Sequence, residues 1–139
     1  MDHKFEECLK KRLIVFTGKI KSDKPEIKLA EFFLEEAYDL IELNKKEFVI
    51  IALYNAVFHS ARAILFHKQY REKSHYCLQI FLAEKTNLGK ESIELFDILR
   101  GKRIEVQYGR ERITIEENLD ELYNKVEKFI EKAKKEIDF

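Results

Sequence analysis

The chain has 139 residues, a length that suits one domain able to bury roughly two-thirds of its unfolded surface. Its 26 basic and 26 acidic residues cancel to a formal net charge of zero, which excludes a global electrostatic pull toward nucleic acid or membrane. Any RNA contact must then come from a local basic patch. With 37% charged residues, one Pro, four Gly and no Trp, the composition is that of a helical protein with a charged surface.

In chain order, Phe5 to Leu13 reads as a short first helix or arm, with Phe5, Cys8 and Leu9 on one side. Leu13 to Phe16 is too short to class from its pattern. Thr17 to Lys24 is a polar connector containing Gly18. Asp23 with Glu26 forms a helix N-terminal cap, and Pro25 fits the first turn, where a missing N–H costs little. The helix that follows runs to about Leu43 on a stripe of Leu29, Phe32, Phe33, Ala37, Leu40 and Ile41. Asn44-Lys45-Lys46 makes the turn.

From Glu47 to about Gln69 the pattern is apolar on nearly all sides, and between Phe48 and Phe66 only Arg62 is charged. Such a helix belongs in the middle of a bundle. Tyr70 to Lys73 is a polar connector. Ser74 caps a helix through about Glu84. Asn87-Leu88-Gly89 breaks the chain before a helix from about Lys90 to Gln107, closed by Gly109. Thr114-x-x-Glu117 is a capping box for a last helix that continues to about Ile137. The short connections predict an all-α, up-and-down bundle of four to five main helices in a single domain over residues 1–139, with 1–22 as an N-terminal arm or short helix.

Cys8 and Cys77 fit neither a disulfide framework nor a zinc site and read as small apolar residues on helix faces. Arg62 interrupts the longest apolar run, so no stretch reads as a membrane span. Met1 to Glu7 lacks the apolar core of a signal peptide, and the expected location is cytoplasmic.

Four motifs stand in order along the chain. Phe5-Glu6-Glu7-Cys8-Leu9 opens it. Tyr54, followed by Phe58-His59-Ser60-Ala61-Arg62, lies in the central helix. Lys73-Ser74-His75 forms a turn, and Arg103-Ile104-Glu105-Val106-Gln107-Tyr108-Gly109 ends a helix. Together they resemble an archaeal and bacterial branch of the HEPN superfamily, small helical proteins whose ribonuclease members carry Arg-x-x-x-x-His. In this chain Tyr108 takes the place of that His, and Ile104 stands where many relatives have Asn.

The resemblance implies a helical bundle that pairs into a homodimer around the Arg-bearing helices. It also implies a partner, a minimal nucleotidyltransferase, in a toxin–antitoxin-like or nucleotide-linked regulatory pair. Ribonuclease members of the superfamily are metal-independent, and their Arg and His from two protomers face one cleft. No cofactor and no metal ligands are expected.

The chemistry follows from residue types. Arg103 and Tyr108 are about 140° apart on an ideal helix and share a face only if its end loosens. They form an RNA- or nucleotide-binding pair, with Arg103 on phosphate and Tyr108 donating a hydrogen bond or stacking; the alternative is an interface Arg beside a packed Tyr. Arg100 and Lys102 extend a basic cluster toward Arg110 and Arg112. His59 and Arg62 share a face of the central helix, with Glu105 and Asp97 as candidate partners for the charge. His59 is the best substitute acid–base group, and the alternative for the pair is a polar network that fixes helix register. Arg62, Arg100, Lys102, Lys73 and His75 are the substrate-binding candidates; His75, near a helix N-terminus, is expected to stay neutral. His3 and His67 have no constellation around them. A metal-independent endoribonuclease and a structural dimerisation module with a vestigial cleft are the competing functions.

Overall fold

The computed structural model describes residues 4–19 and 22–139; His3 and the middle of the Thr17–Lys24 connector lie outside them. Its elements are α1 (Lys4–Lys10), β1 (Ile14–Phe16), α2 (Asp23–Glu42), α3 (Lys46–His67), β2 (Tyr70–Glu72), α4 (His75–Lys85), α5 (Lys90–Tyr108) and α6 (Leu119–Glu136). The all-α bundle is as expected, with five helices of 11 to 22 residues and the short α1.

The bundle is organised around α3, which packs against α2, α5 and α6. Thirteen of its 22 residues are buried. Ala52, Ala56, Ala61 and Ala63 are among them, and their small side chains let neighbouring helices approach closely. The opposite case is α6, which buries Leu122, Val126, Phe129, Ile130 and Ala133 at helical spacing and turns its lysines and glutamates outward. By length and composition α3 would also pass for a membrane span, because a single charge does not disqualify it; 67% of that apolar window is buried inside the fold.

Two short stretches depart from the sequence reading. Ile14–Phe16 and Tyr70–Glu72, read as unclassed and as a connector, pair antiparallel, with Ile14 opposite Glu72 and Phe16 opposite Tyr70. Three-residue strands carry no readable period; what makes them is their pairing across 56 residues of chain.

Cys8 and Cys77 are joined by a disulfide, with Cα atoms 5.9 Å apart, contrary to the expectation of two unlinked apolar residues. Both are nonetheless buried on helix faces, Cys8 on α1 and Cys77 on α4.

The caps are corrected in two places. At the start of α2 the N-cap is Ser22, without a side-chain bond. Asp23 instead accepts from the Lys24 amide and pairs with His67 at 3.0 Å, so His67 does have a partner. At the start of α6 the cap is Asn118, whose side chain accepts from the Glu121 amide. Glu117 is taken by Lys102 at 2.8 Å, which leaves the Thr114 box unformed. Ser74 caps α4 as expected, accepting from the Cys77 amide. Gly109 ends α5 because of a close approach: a Cβ there would collide with the Glu105 carbonyl oxygen.

Candidate functional site

The site grows from one face of α3. Tyr54, Phe58, His59 and Arg62 recur there at three- and four-residue steps, so they project to the same side. Three other elements bring residues to that face: α2 brings Glu26 and Phe33, the β2–α4 corner brings Glu72 and His75, and the C-terminal half of α5 brings Arg103.

The first half is ionic. Nε of Arg62 lies 2.7 Å from a Glu72 carboxylate oxygen, and a terminal guanidinium nitrogen lies 3.6 Å from Glu26. Its guanidinium also sits over the Phe66 ring at 4.8 Å. The partners are therefore Glu72 and Glu26; Asp97 instead accepts from Gln79 on α4. Burial pushes the Glu72 carboxyl up, and Arg62 opposes that shift by favouring the charged form. Nδ1 of His59 is 2.6 Å from the other oxygen of Glu26, while its ring stacks on Phe33. Glu26 thus joins the two residues that share the α3 face.

The second half is aromatic and cationic. The Tyr54 hydroxyl lies 2.6 Å from Nδ1 of His75, and the His75 ring stacks on Phe58 at 4.4 Å. Burial pushes the Tyr54 hydroxyl up to about 12, against the pull of Arg103 and Arg100. Burial, then the nearby Arg103, Arg100 and Arg62, hold the His75 imidazole below its usual range. Both groups are therefore neutral at physiological pH.

Above this pair, the Arg103 guanidinium sits 5.4 Å from the centre of the Tyr54 ring and 5.6 Å from that of Tyr108. Tyr108 is 70% exposed. Arg103 and Tyr108 do meet, and α5 stays helical through Tyr108 as they do so. The length of the Arg side chain closes the angular gap without any loosening of the backbone. Arg100 lies against the Tyr76 ring, one residue from His75.

Of the residues singled out in the sequence, Arg103, Tyr108, Arg100 and His75 gather with Tyr54, and His59 and Arg62 gather on Glu26. Lys102 turns away to Glu117, and Arg112 to Glu47. Lys73 stands exposed beside the site, between β2 and the α4 cap. Sequence reasoning did not assign Tyr54, Glu26 or Glu72 to the site. Tyr54 had a signal, since it lies five and eight residues before His59 and Arg62 on the same helix; the carboxylates had none, because their partners are fixed by tertiary packing.

Chemically, the arrangement is an open, cationic and aromatic surface at the end of α5. Its guanidiniums suit an anion, and its exposed ring and neutral imidazole suit a base or a hydroxyl. Among the described residues, no group of three or more His, Cys, Asp or Glu is placed to hold a metal ion. Among the described residues, cavities also open elsewhere, such as one of about 330 Å³ between α5 and α6, over Leu95, Ile98 and Leu122, and one of about 560 Å³ beside the α2–α3 turn.

A small helical bundle around one buried central helix is the architecture of a family of nucleotide-binding and ribonuclease-type domains. The HEPN domain family matches residues 26–137, and the chain belongs to it. The match begins within α2, so α1 and β1 precede it. Among curated proteins, none matches the chain.

Proposed function

We propose that this protein is the HEPN partner of a minimal nucleotidyltransferase in a toxin–antitoxin-like or nucleotide-linked regulatory pair, and that it binds RNA or nucleotide phosphate weakly at the end of α5. The observation that carries the reading is Arg103, held between the Tyr54 and Tyr108 rings with Tyr108 exposed beside it. A guanidinium fixed in this way is pre-positioned for phosphate, and the exposed phenol beside it can donate or stack. The family's motif His is missing from this group: Tyr108 stands in its place, a phenol where the ribonuclease members carry an imidazole. Recognition is therefore favoured over cleavage.

The working unit is a homodimer, supported by the exposed Ile98, Ile104 and Tyr108 along α5. The proposed compartment is the cytoplasm, where a disulfide is more often transient and redox-sensing than a permanent staple.

The test is co-expression with a minimal nucleotidyltransferase encoded beside this gene, followed by purification of one partner. Recovery of both, lost or weakened in Arg103→Ala, supports the reading. The absence of any such neighbour, together with rapid metal-free RNA cleavage by the protein alone, would overturn it in favour of the ribonuclease.

A further inference from the structure

The arm that precedes the family domain is fastened to the segment that supplies part of the site. Phe5 of α1 packs edge-on against Tyr70 and tilted against Phe81. The Leu13 carbonyl accepts from the Lys73 amide, β1 pairs with β2, and the Thr17 amide donates to the Gln69 carbonyl. Cys8 is bonded to Cys77. The arm thus holds residues 69–73 and 77.

The same stretch faces the site from its other side. Glu72 meets Arg62, and His75 meets Tyr54. The Cys77 amide donates to Ser74 Oγ, the cap that starts α4 at His75. One residue therefore carries both the sulfur that holds the arm and the amide that orders the His75 turn.

The arm's own secondary structure is short, so its order depends on these tertiary ties. A helix of seven residues is well below the roughly 12–15 at which isolated helices become even marginal. Two strands of three residues are a ribbon that has little stability of its own.

We propose that the Cys8–Cys77 disulfide is a redox switch on the Arg103–Tyr108 site. With the bond closed, the arm is docked and Glu72 and His75 are held in place. With the bond open, the arm undocks, the 69–77 stretch loosens, and phosphate binding weakens. This rests on the reading of that site as a phosphate-binding surface.

The co-reactant is a dithiol. One of its thiolates attacks a cysteine sulfur, the Cys8–Cys77 bond breaks and a mixed disulfide forms. The second thiolate of the dithiol then displaces the remaining cysteine. Two electrons pass to the protein, both cysteines take up protons as thiols, and the dithiol ends as its own disulfide. The sulfurs are buried, with Cys8 at 4% and Cys77 at 2% exposure, so attack follows transient undocking of α1.

A permanent staple would leave the native site unchanged on reduction, and that difference is measurable. The full chain is compared oxidised, reduced with dithiothreitol, and as Cys8→Ser/Cys77→Ser, with circular dichroism verifying that each form stays helical. Two readouts are taken: hydrogen exchange of the amides of residues 69–78, and binding of a single-stranded oligoribonucleotide. Reduction is expected to speed exchange in that stretch at least tenfold and to weaken binding severalfold, and the double Ser variant should match the reduced form with or without dithiothreitol. Equal exchange and equal binding in oxidised and reduced protein would overturn the switch while leaving the binding site standing. Faster exchange on reduction with no binding in any form would sustain the coupling between bond and site, and would overturn the phosphate-binding reading instead.

Discussion

The Tyr54 hydroxyl and the His75 imidazole, on different helices, approach to 2.6 Å as two neutral groups. Each is kept neutral by burial, and Arg103 and Arg100 lower both groups: they oppose burial at the tyrosine, which still stands at about 12, and reinforce it at the histidine, which lies below its ordinary 6.5. The pair reports on Arg103.

His75 is therefore expected to titrate below 6.5 by NMR, and Arg103→Ala to move its midpoint upward. The linked stability has a definite sign. Between the folded value and the unfolded 6.5, the unfolded chain binds the proton more readily, so stability is full above that window and falls as pH drops through it. His75→Gln should flatten this part of the stability profile. A His75 midpoint unmoved by Arg103→Ala would show that the guanidinium does not act on the ring.

Arg62→Leu is expected to cost about 3 kcal/mol of folding stability, read by urea denaturation, since breaking a buried pair strands the remaining charge. Glu72 is the stranded group, its side chain only 6% exposed, while the 26% exposure of Arg62 keeps the loss toward the low end for buried pairs. Arg62→Leu/Glu72→Leu should recover much of it. Equal losses in the single and double variants would mean that the pair itself matters little.

The sequence made the long helices legible because their apolar periods are unbroken. The α3 stretch could hardly be anything but central, and Ser74 and the Asn87–Gly89 break were readable from local chemistry. Position 103 facing position 108 was harder, because helix geometry alone argues against it and only the reach of the Arg side chain resolves it. Glu26 looked like a capping residue and proved to be a tertiary partner; local spacing cannot separate those roles when His59 is 33 residues away. The Cys8–Cys77 bond and the β1–β2 pairing share that limit, since each joins residues more than 50 positions apart through the fold.

Reduction of the disulfide should lower stability as well as loosen the site. The bond spans 69 residues, and closing a loop of that size removes about 4 kcal/mol of unfolded-state entropy in the chain-entropy model. A calorimetric melt in dithiothreitol is expected to fall by roughly 10 °C or more for a domain of this length. A shift under about 2 °C would leave the bond with no thermodynamic role.

Light scattering on dilute protein should give about twice the 16.7 kDa chain mass. Ile104→Glu places a charge on the exposed apolar side of α5 and should shift the protein toward monomer. A clean monomer at micromolar wild-type concentration would reject the dimer.

The protein alone should be a poor ribonuclease. Cleavage by the RNA's own 2′-hydroxyl needs a group that takes that proton near neutral pH, and losing a general base typically costs about a hundred- to ten-thousand-fold in rate. Tyr108 offers a phenol where the ribonuclease members carry an imidazole, and a phenol hydroxyl donates where a base would have to accept. His59 is held on Glu26 at 2.6 Å and stacked on Phe33. Arg103 remains able to bind phosphate and to stabilise developing charge. The assay is metal-free digestion of RNA by wild type, Arg103→Ala and Tyr108→His, with binding measured in parallel. Wild type should bind weakly and cut little, and Arg103→Ala should bind at least tenfold less. Tyr108→His puts an imidazole at the position whose ring now lies 5.6 Å from the Arg103 guanidinium, and it should gain measurable cutting. Fast cleavage by wild type that Arg103→Ala abolishes would make this chain an endoribonuclease in which another side chain, His59 first, accepts the proton. Binding unaffected by Arg103→Ala would take Arg103 out of the site and leave a dimerisation module.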